Sequence, residues 1–269
     1  MVYDDSMDKD KMIQAVRWYE GDVSSADDPV LADTKAYVTY NAIFFTGTAN
    51  EEAKVREKKY LNPAFFSHCE KIYGEDSLTA HIIDAMFMCN HPSITTYRVE
   101  RLYDFQMMQK YQHTISFTST SNNGFLGNYT DKEGIVLMVC HLSADTPCLV
   151  LSSFLPHYAK SEEAEVLLPP WLKMDIQEVP MTKQEKEIKD MYGRPPFGKY
   201  EIWFTDLHLP NISCDKPNAE MIATAQDICR CINAQQQHKD ITAYERCKKY
   251  CRKLTIETMQ KRIEKGHSD

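Results

Sequence analysis

Apolar residues recur at helical spacing near the start of the chain. Within residues 8–20, Met12, Ala15, Val16 and Tyr19 fall on one stripe, which predicts an amphipathic opening helix. Residues 22–33 are polar and predict a connector. A second helical block covers residues 50–60, stopped by Asn62-Pro63. A third covers residues 76–89, with Leu78, Ile82, Ala85, Met86 and Cys89 on one side and Asn90-His91-Pro92 as its stop. After Pro92 the pattern changes to strand. Residues 94–99 and 114–118 are short β-rich runs, and residues 134–142 are mostly apolar, as a buried strand should be. Residues 148–151, 165–168 and 173–179 follow at short intervals. Residues 182–190 predict a charged helix and residues 200–209 the last strand. From Pro217 the period is helical again: Met221, Ile222, Ala225, Ile228, Cys229 and Ile232 fit one face, and Tyr244, Cys247, Cys251, Leu254 and Met259 another. Helices, then many strands, then helices predict an α+β fold rather than alternating α/β.

Composition narrows the class of function. The 269 residues are 43% hydrophobic, enough for one large domain, with or without an appendage. A formal net charge of −8 argues against nucleic-acid or membrane-surface partners, since both need a basic face. The longest strongly apolar run, residues 135–140, falls far short of the roughly 20 residues of a spanning helix. The acidic start, Met1-Val2-Tyr3-Asp4-Asp5, has no apolar stretch of the kind a signal peptide carries. The expectation is a cytoplasmic protein, or one delivered into the cytosol of a target cell. Nine scattered cysteines then read as reduced thiols. Cys247 and Cys251 share a helical face but Cys229 and Cys231 do not, and the spacing is unlike common zinc modules, so no metal is expected.

Three short elements carry chemistry. Glu163-Ala164-Glu165 runs into Val166-Leu167-Leu168-Pro169-Pro170. If that run is extended from Glu163 on, the two acids point to one face and Ala164 to the other. Two acids in one pocket repel, which suits chemistry that passes through a cationic sugar; a solvated strand edge is the alternative. In Thr96-Tyr97-Arg98-Val99 an arginine lies inside a β-rich segment. Its planar fork matches phosphate oxygens, and the alternative is a strand-end arginine facing water. In Phe117-Thr118-Ser119-Thr120-Ser121, Ser119 and Ser121 share a strand face, and a small hydroxyl can fix a carboxylate rotamer. The alternative there is a polar strand end before the turn at Asn122-Asn123-Gly124.

In the order Arg, Ser-Thr-Ser, Glu-x-Glu, these elements resemble the R-S-E class of mono-ADP-ribosyltransferases, the family of clostridial-type actin-modifying toxins and vertebrate arginine-specific ecto-enzymes. The resemblance extends through the runs beginning at Gly134, Leu149 and Glu163 and covers about residues 94–209. It implies an ADP-ribosyltransferase fold: two packed, mainly antiparallel sheets flanked by an N-terminal helical lobe. Residues 1–212 would form the catalytic domain (1–92 helical lobe, 93–212 β core), and residues 213–269 a C-terminal helical extension that packs on the domain or serves an activating partner. It implies NAD as substrate. Arg98 would hold the NAD phosphates, with Arg101 the fallback. Ser119, with Thr120 and Ser121, would anchor the pocket and orient Glu165. Glu165 would bind the nicotinamide ribose and stabilise the developing oxocarbenium charge. Glu163 would deprotonate the acceptor, an arginine of a target protein. Phe125 would stack on nicotinamide. Phe154, His157 and Tyr158, in the loop of residues 152–162, would face the target.

Other features are set aside. Gly193-Arg-Pro-Pro-Phe-Gly198-Lys199-Tyr200 imitates a phosphate-binding loop, but two prolines remove backbone donors and Tyr200 stands where Ser or Thr binds magnesium. His113, His141 and His157 are isolated and read as satisfied or surface histidines; the His-Tyr-Glu set of a poly-ADP-ribose polymerase would place its first two members where Arg98 and the Ser-Thr-Ser run stand. Trp171 departs from the small residue common after Pro-Pro in the family. An NAD glycohydrolase and a catalytically silent binding module are the two competing functions.

Overall fold

The strand-forming runs between residues 94 and 207 pair into one sheet in the computed structural model, which describes residues 5–21, 37, 69–74, 76–123, 134–155, 164–187, 195–211 and 242–266. The strands are β1 (Ile94–Arg101), β2 (Thr118–Ser121), β3 (Ile135–Leu142), β4 (Leu149–Val150), β5 (Glu165–Leu168), β6 (Leu172–Val179) and β7 (Lys199–Leu207). Their order across the sheet is β4-β5-β2-β1-β3-β7-β6. Every pairing is antiparallel except β3 with β7. The described residues are thus α+β, as the element order predicts. The two sheets implied by the resemblance appear as two halves of this one sheet, β4-β5-β2 and β1-β3-β7-β6. They are joined by a single register pair, Tyr97 with Ser121.

Compact units divide the chain differently from the expected catalytic domain and extension. One comprises Met86–His208; the other joins Met1–Ala85 to Leu209–Asp269. The C-terminal residues therefore group with the N-terminal helices. Within that second unit, α1 (Asp5–Glu20) buries Met12, Ala15, Val16 and Tyr19 of the predicted stripe, and Trp18 as well. The short α2 (Cys69–Tyr73) precedes α3 (Leu78–Met88). Ser77 caps α3 by accepting from the Ala80 N–H at 3.2 Å, and Thr79 donates back to the Ile72 carbonyl at 2.6 Å. The last described helix, Thr242–Gly266, buries Cys251 and Met259 as expected, but Leu254 is only half-buried and Thr255, Ile256 and Thr258 take its place. The predicted helices at residues 50–60 and 221–232 lie outside the described residues.

In the sheet unit, one face is apolar. Met138, Cys140, Ile202, Phe204 and Met174 share it and are all buried, and by alternation Arg98 and Glu100 lie on it beside them. Burial pushes the Cys140 thiol up to about 12, so it stays protonated. A helix absent from the expectations, α4 (Leu102–Tyr111), leaves β1 directly; its Phe105 ring lies 4.4 Å from that of Tyr200 on this face. No turn residue separates β1 from α4, because Arg101 occupies the N-cap without a side-chain cap. The predicted strand at residues 114–118 is displaced to β2. Thr114 instead braces the corner between β5 and β6: its hydroxyl donates to the Pro169 carbonyl and accepts from the Leu172 N–H, both at 2.9 Å. Trp171 in that corner is left-handed (φ 71°), and its ring packs 5.4 Å from His113. Residues 151–154 form one short helix, α5 (Leu151–Phe154). The charged helix shortens to α6 (Lys183–Lys186), closed by a Thr182/Glu185 capping box.

Candidate active site

β2 lies between β1 and β5, and this brings the three sequence motifs to neighbouring strands. The β2–β5 register sets Ser121 opposite Glu165, Thr120 opposite Val166 and Ser119 opposite Leu167. Directly paired residues share a face, so Ser121 and Glu165 stand side by side, with Ser119 on the same face two positions along. The resemblance implies that Ser119 orients Glu165; the register makes Ser121 its immediate neighbour. The Ser121 hydroxyl donates to Asn123 Oδ1 at 2.6 Å. Thr120 points the other way and is spent on the strand pair, donating to the Val166 carbonyl at 2.9 Å. Glu165 is buried at 6% exposure in spite of its charge.

Arg98 belongs to the other half of the sheet. By alternation it leaves β1 on the face opposite Tyr97. Beyond the Tyr97–Ser121 pair the ladder between β1 and β2 stops, and the guanidinium takes over: Nη1 donates to the Ser119 carbonyl at 2.6 Å. Its other edge is held by Glu100, a residue the sequence reading passed over. Nε donates to Glu100 Oε2 at 2.7 Å, and Nη2 lies 2.6 Å from the same oxygen. Glu100 Oε1 accepts from the Arg101 N–H at 3.0 Å, so both oxygens of this buried carboxylate are engaged. The signal for Glu100 was present, since Arg98-x-Glu100 has the same-face spacing used for the Glu-x-Glu pair. Arg101, the fallback, pairs with Asp104 in the first turn of α4. Arg98 is joined to β2 by its bond to the Ser119 carbonyl.

The extended geometry expected through Glu163-Ala164-Glu165 does not hold. Ala164 is left-handed (φ 46°), and β5 begins only at Glu165. Strand alternation therefore does not relate the two acids. The Ala164 carbonyl accepts from the Asn122 N–H at 3.1 Å, which anchors the turn after β2 to the entrance of β5. A left-handed alanine costs about 1–2 kcal/mol, and such strain persists where surrounding structure imposes it. Ala164→Gly is expected to be about 0.5 kcal/mol more stable, the strain relief outweighing the added freedom of the unfolded chain. The urea midpoint reads this directly, and a lower midpoint would show that no strain is stored there.

Glu163, Phe125, His157 and Tyr158 lie outside the described residues. Phe154 is the last residue of α5 and is half-buried. Among the described residues, no three His, Cys, Asp or Glu side chains gather as a metal site, and no helix is long and apolar enough to cross a membrane.

No protein-family model matches the chain, and no curated protein does. Solved structures resemble it at low identity. The Vis toxin, an ADP-ribosyltransferase from Vibrio splendidus, is similar at 12% identity and a TM-score of 0.35, over 75% of this chain and 84% of that one. Plx2a, an ADP-ribosyltransferase toxin from Paenibacillus larvae, is similar at 15% identity and a TM-score of 0.34, over 64% of this chain and 95% of that one. C3stau2 from S. aureus, solved with NAD, is similar at 14% identity and a TM-score of 0.33, over 72% and 95%. Likeness this shallow assigns no residue.

Proposed function

We propose that this chain is an NAD-dependent mono-ADP-ribosyltransferase, moving ADP-ribose from NAD to an arginine of a protein acceptor and releasing nicotinamide. The observation that carries the reading is the convergence on β2: Arg98 bonds to the carbonyl of Ser119, and Ser121 pairs with Glu165. Three motifs that are scattered in the sequence lie on the adjacent strands β1, β2 and β5, with the Arg98 guanidinium reaching the β2 backbone from the face opposite Tyr97.

The nicotinamide ring of NAD is already cationic while bound and departs neutral, so no general acid has to protonate it. What is needed is a holder for the diphosphate, a carboxylate near the anomeric carbon and a base for the acceptor. Arg98, oriented by Glu100 and by the Ser119 carbonyl, is the holder. Glu165, with Ser121 beside it and Ser119 on the same face, binds the ribose hydroxyl and stabilises the cationic sugar. As the glycosidic C–N bond breaks, nicotinamide departs with the electron pair. The acceptor nitrogen attacks the same carbon, and its proton passes to Glu163. Phe125 stacks on nicotinamide, and Phe154, His157 and Tyr158 face the target. Thr120 braces β2 to β5 and takes no ligand.

Glu163→Gln separates transfer from cleavage. The variant is expected to hydrolyse NAD, with water as acceptor, while no longer labelling agmatine, a small guanidine acceptor. Agmatine labelling that survives the substitution would remove Glu163 from its role. A wild type that hydrolyses NAD without labelling any guanidine would make the chain a glycohydrolase.

A further inference from the structure

On the face of the sheet that carries Glu165, one row of cross-strand partners runs Glu165, Ser121, Tyr97, Val139, Glu201 and Gln177. The next row holds Thr95, His141, Trp203 and Asp175. Two large rings in these rows stand open to water, Tyr97 at 36% and Trp203 at 38% exposure. Exposed aromatic rings grouped on one face mark surfaces that meet a partner. Trp203 is held in place. Its ring stacks on His141, with centroids 4.9 Å apart and planes at 19°, and Thr95 Oγ1 lies 3.3 Å from His141 Nδ1.

Carboxylates surround that stack. Glu201 lies 3.8 Å from His141 Nε2, and Asp175 is the register partner of Trp203. Lys199, on the same strand, is spent on Glu185 at 2.7 Å, and Lys173 lies two residues from Asp175 on β6, one row beyond the stack. A fixed open ring between carboxylates is the complement of a guanidinium or ammonium group. An anion such as a nucleotide would meet repulsion there.

We propose that this face is the docking track for an extended, basic segment of the acceptor protein. One arginine of the segment lies at Glu165, and a second cationic side chain lies on Trp203 between Glu201 and Asp175. The proposal rests on the transferase reading above. Four interstrand steps separate β5 from β7, about 19 Å at the usual strand spacing. An extended peptide rises about 3.3 Å per residue, so the second cation falls about six residues from the modified arginine.

The test is fluorescence anisotropy of labelled peptides on the full chain, without NAD. One peptide carries two arginines six residues apart; the other has glutamine at the second position. In the wild type the second arginine is expected to tighten binding about tenfold. In Trp203→Ala, and separately in Glu201→Lys, the ratio of the two affinities is expected to fall to one, while thermal melting shows a folded chain. The charge reversal keeps the ring and its packing, so it decides the matter if the truncation unfolds the protein. A wild-type ratio of one, or a tenfold ratio that survives Glu201→Lys, would overturn the docking track. Because binding is read without NAD, a chain that releases no nicotinamide would sink the transferase reading and leave this measurement standing.

Discussion

Glu165→Gln is expected to lower nicotinamide release by roughly 10²–10³-fold, the usual effect of deleting one preorganised electrostatic group at a developing charge. The substitution is close to isosteric, and the β5 backbone pairs with β2 on one side and β4 on the other regardless of the side chain. The melting transition should therefore stay near that of the wild type. What is lost is the negative charge beside Ser121. Steady-state nicotinamide release, read alongside thermal melting, separates a catalytic loss from a structural one. Unchanged release, or a loss that tracks a large drop in melting temperature, would count against a catalytic Glu165.

The proposed function gives Arg98 two roles, holding NAD and bracing the sheet, and its pairing with Glu100 allows them to be separated. Arg98→Met leaves Glu100 a carboxylate in the interior, with a side chain only 5% exposed and its main partner gone. Breaking a buried pair from one side costs about 3 kcal/mol or more, whereas removing both charges is often nearly neutral. Arg98→Met is therefore expected to destabilise the chain by about 3 kcal/mol, and Arg98→Met with Glu100→Gln to recover most of it. NAD affinity should stay lost in both, since neither presents a cation at Ser119. Urea midpoints and NAD binding measured on the two variants test this. NAD affinity that returned together with stability would reduce Arg98 to a brace between the halves of the sheet.

Much of the β unit was legible because β3 and β5 are buried along most of their length on both sides. Residues 165–168 were bounded correctly as β5, and β3 was placed to within one residue. Arg98 and Glu165 stood out because charge in such runs needs a reason. What stayed hidden depends on features that side-chain patterns do not encode. Alanine gives no hint of a positive φ, so Glu163-Ala164-Glu165 read as extended although Ala164 is left-handed. The α4 helix follows β1 without glycine, proline or a capping side chain, so nothing in the sequence marks the change of period. Thr114 looked like a strand residue because β-branching suits strands, but its hydroxyl closes the β5–β6 corner instead. The neighbour of Glu165 depends on β2–β5 register, and a shift of two residues exchanges Ser119 for Ser121 without changing the face. Glu100 was passed over because an Arg-x-Glu pair in a strand reads as a solvated edge until the fold buries it.

The most direct test of the central claim, that Arg98, the Ser-Thr-Ser strand and Glu165 together cleave NAD, is incubation of the purified chain with NAD labelled in the adenosine half, in the presence of agmatine. Nicotinamide release accompanied by labelled agmatine is the predicted result. A chain that neither releases nicotinamide nor binds NAD would contradict the claim.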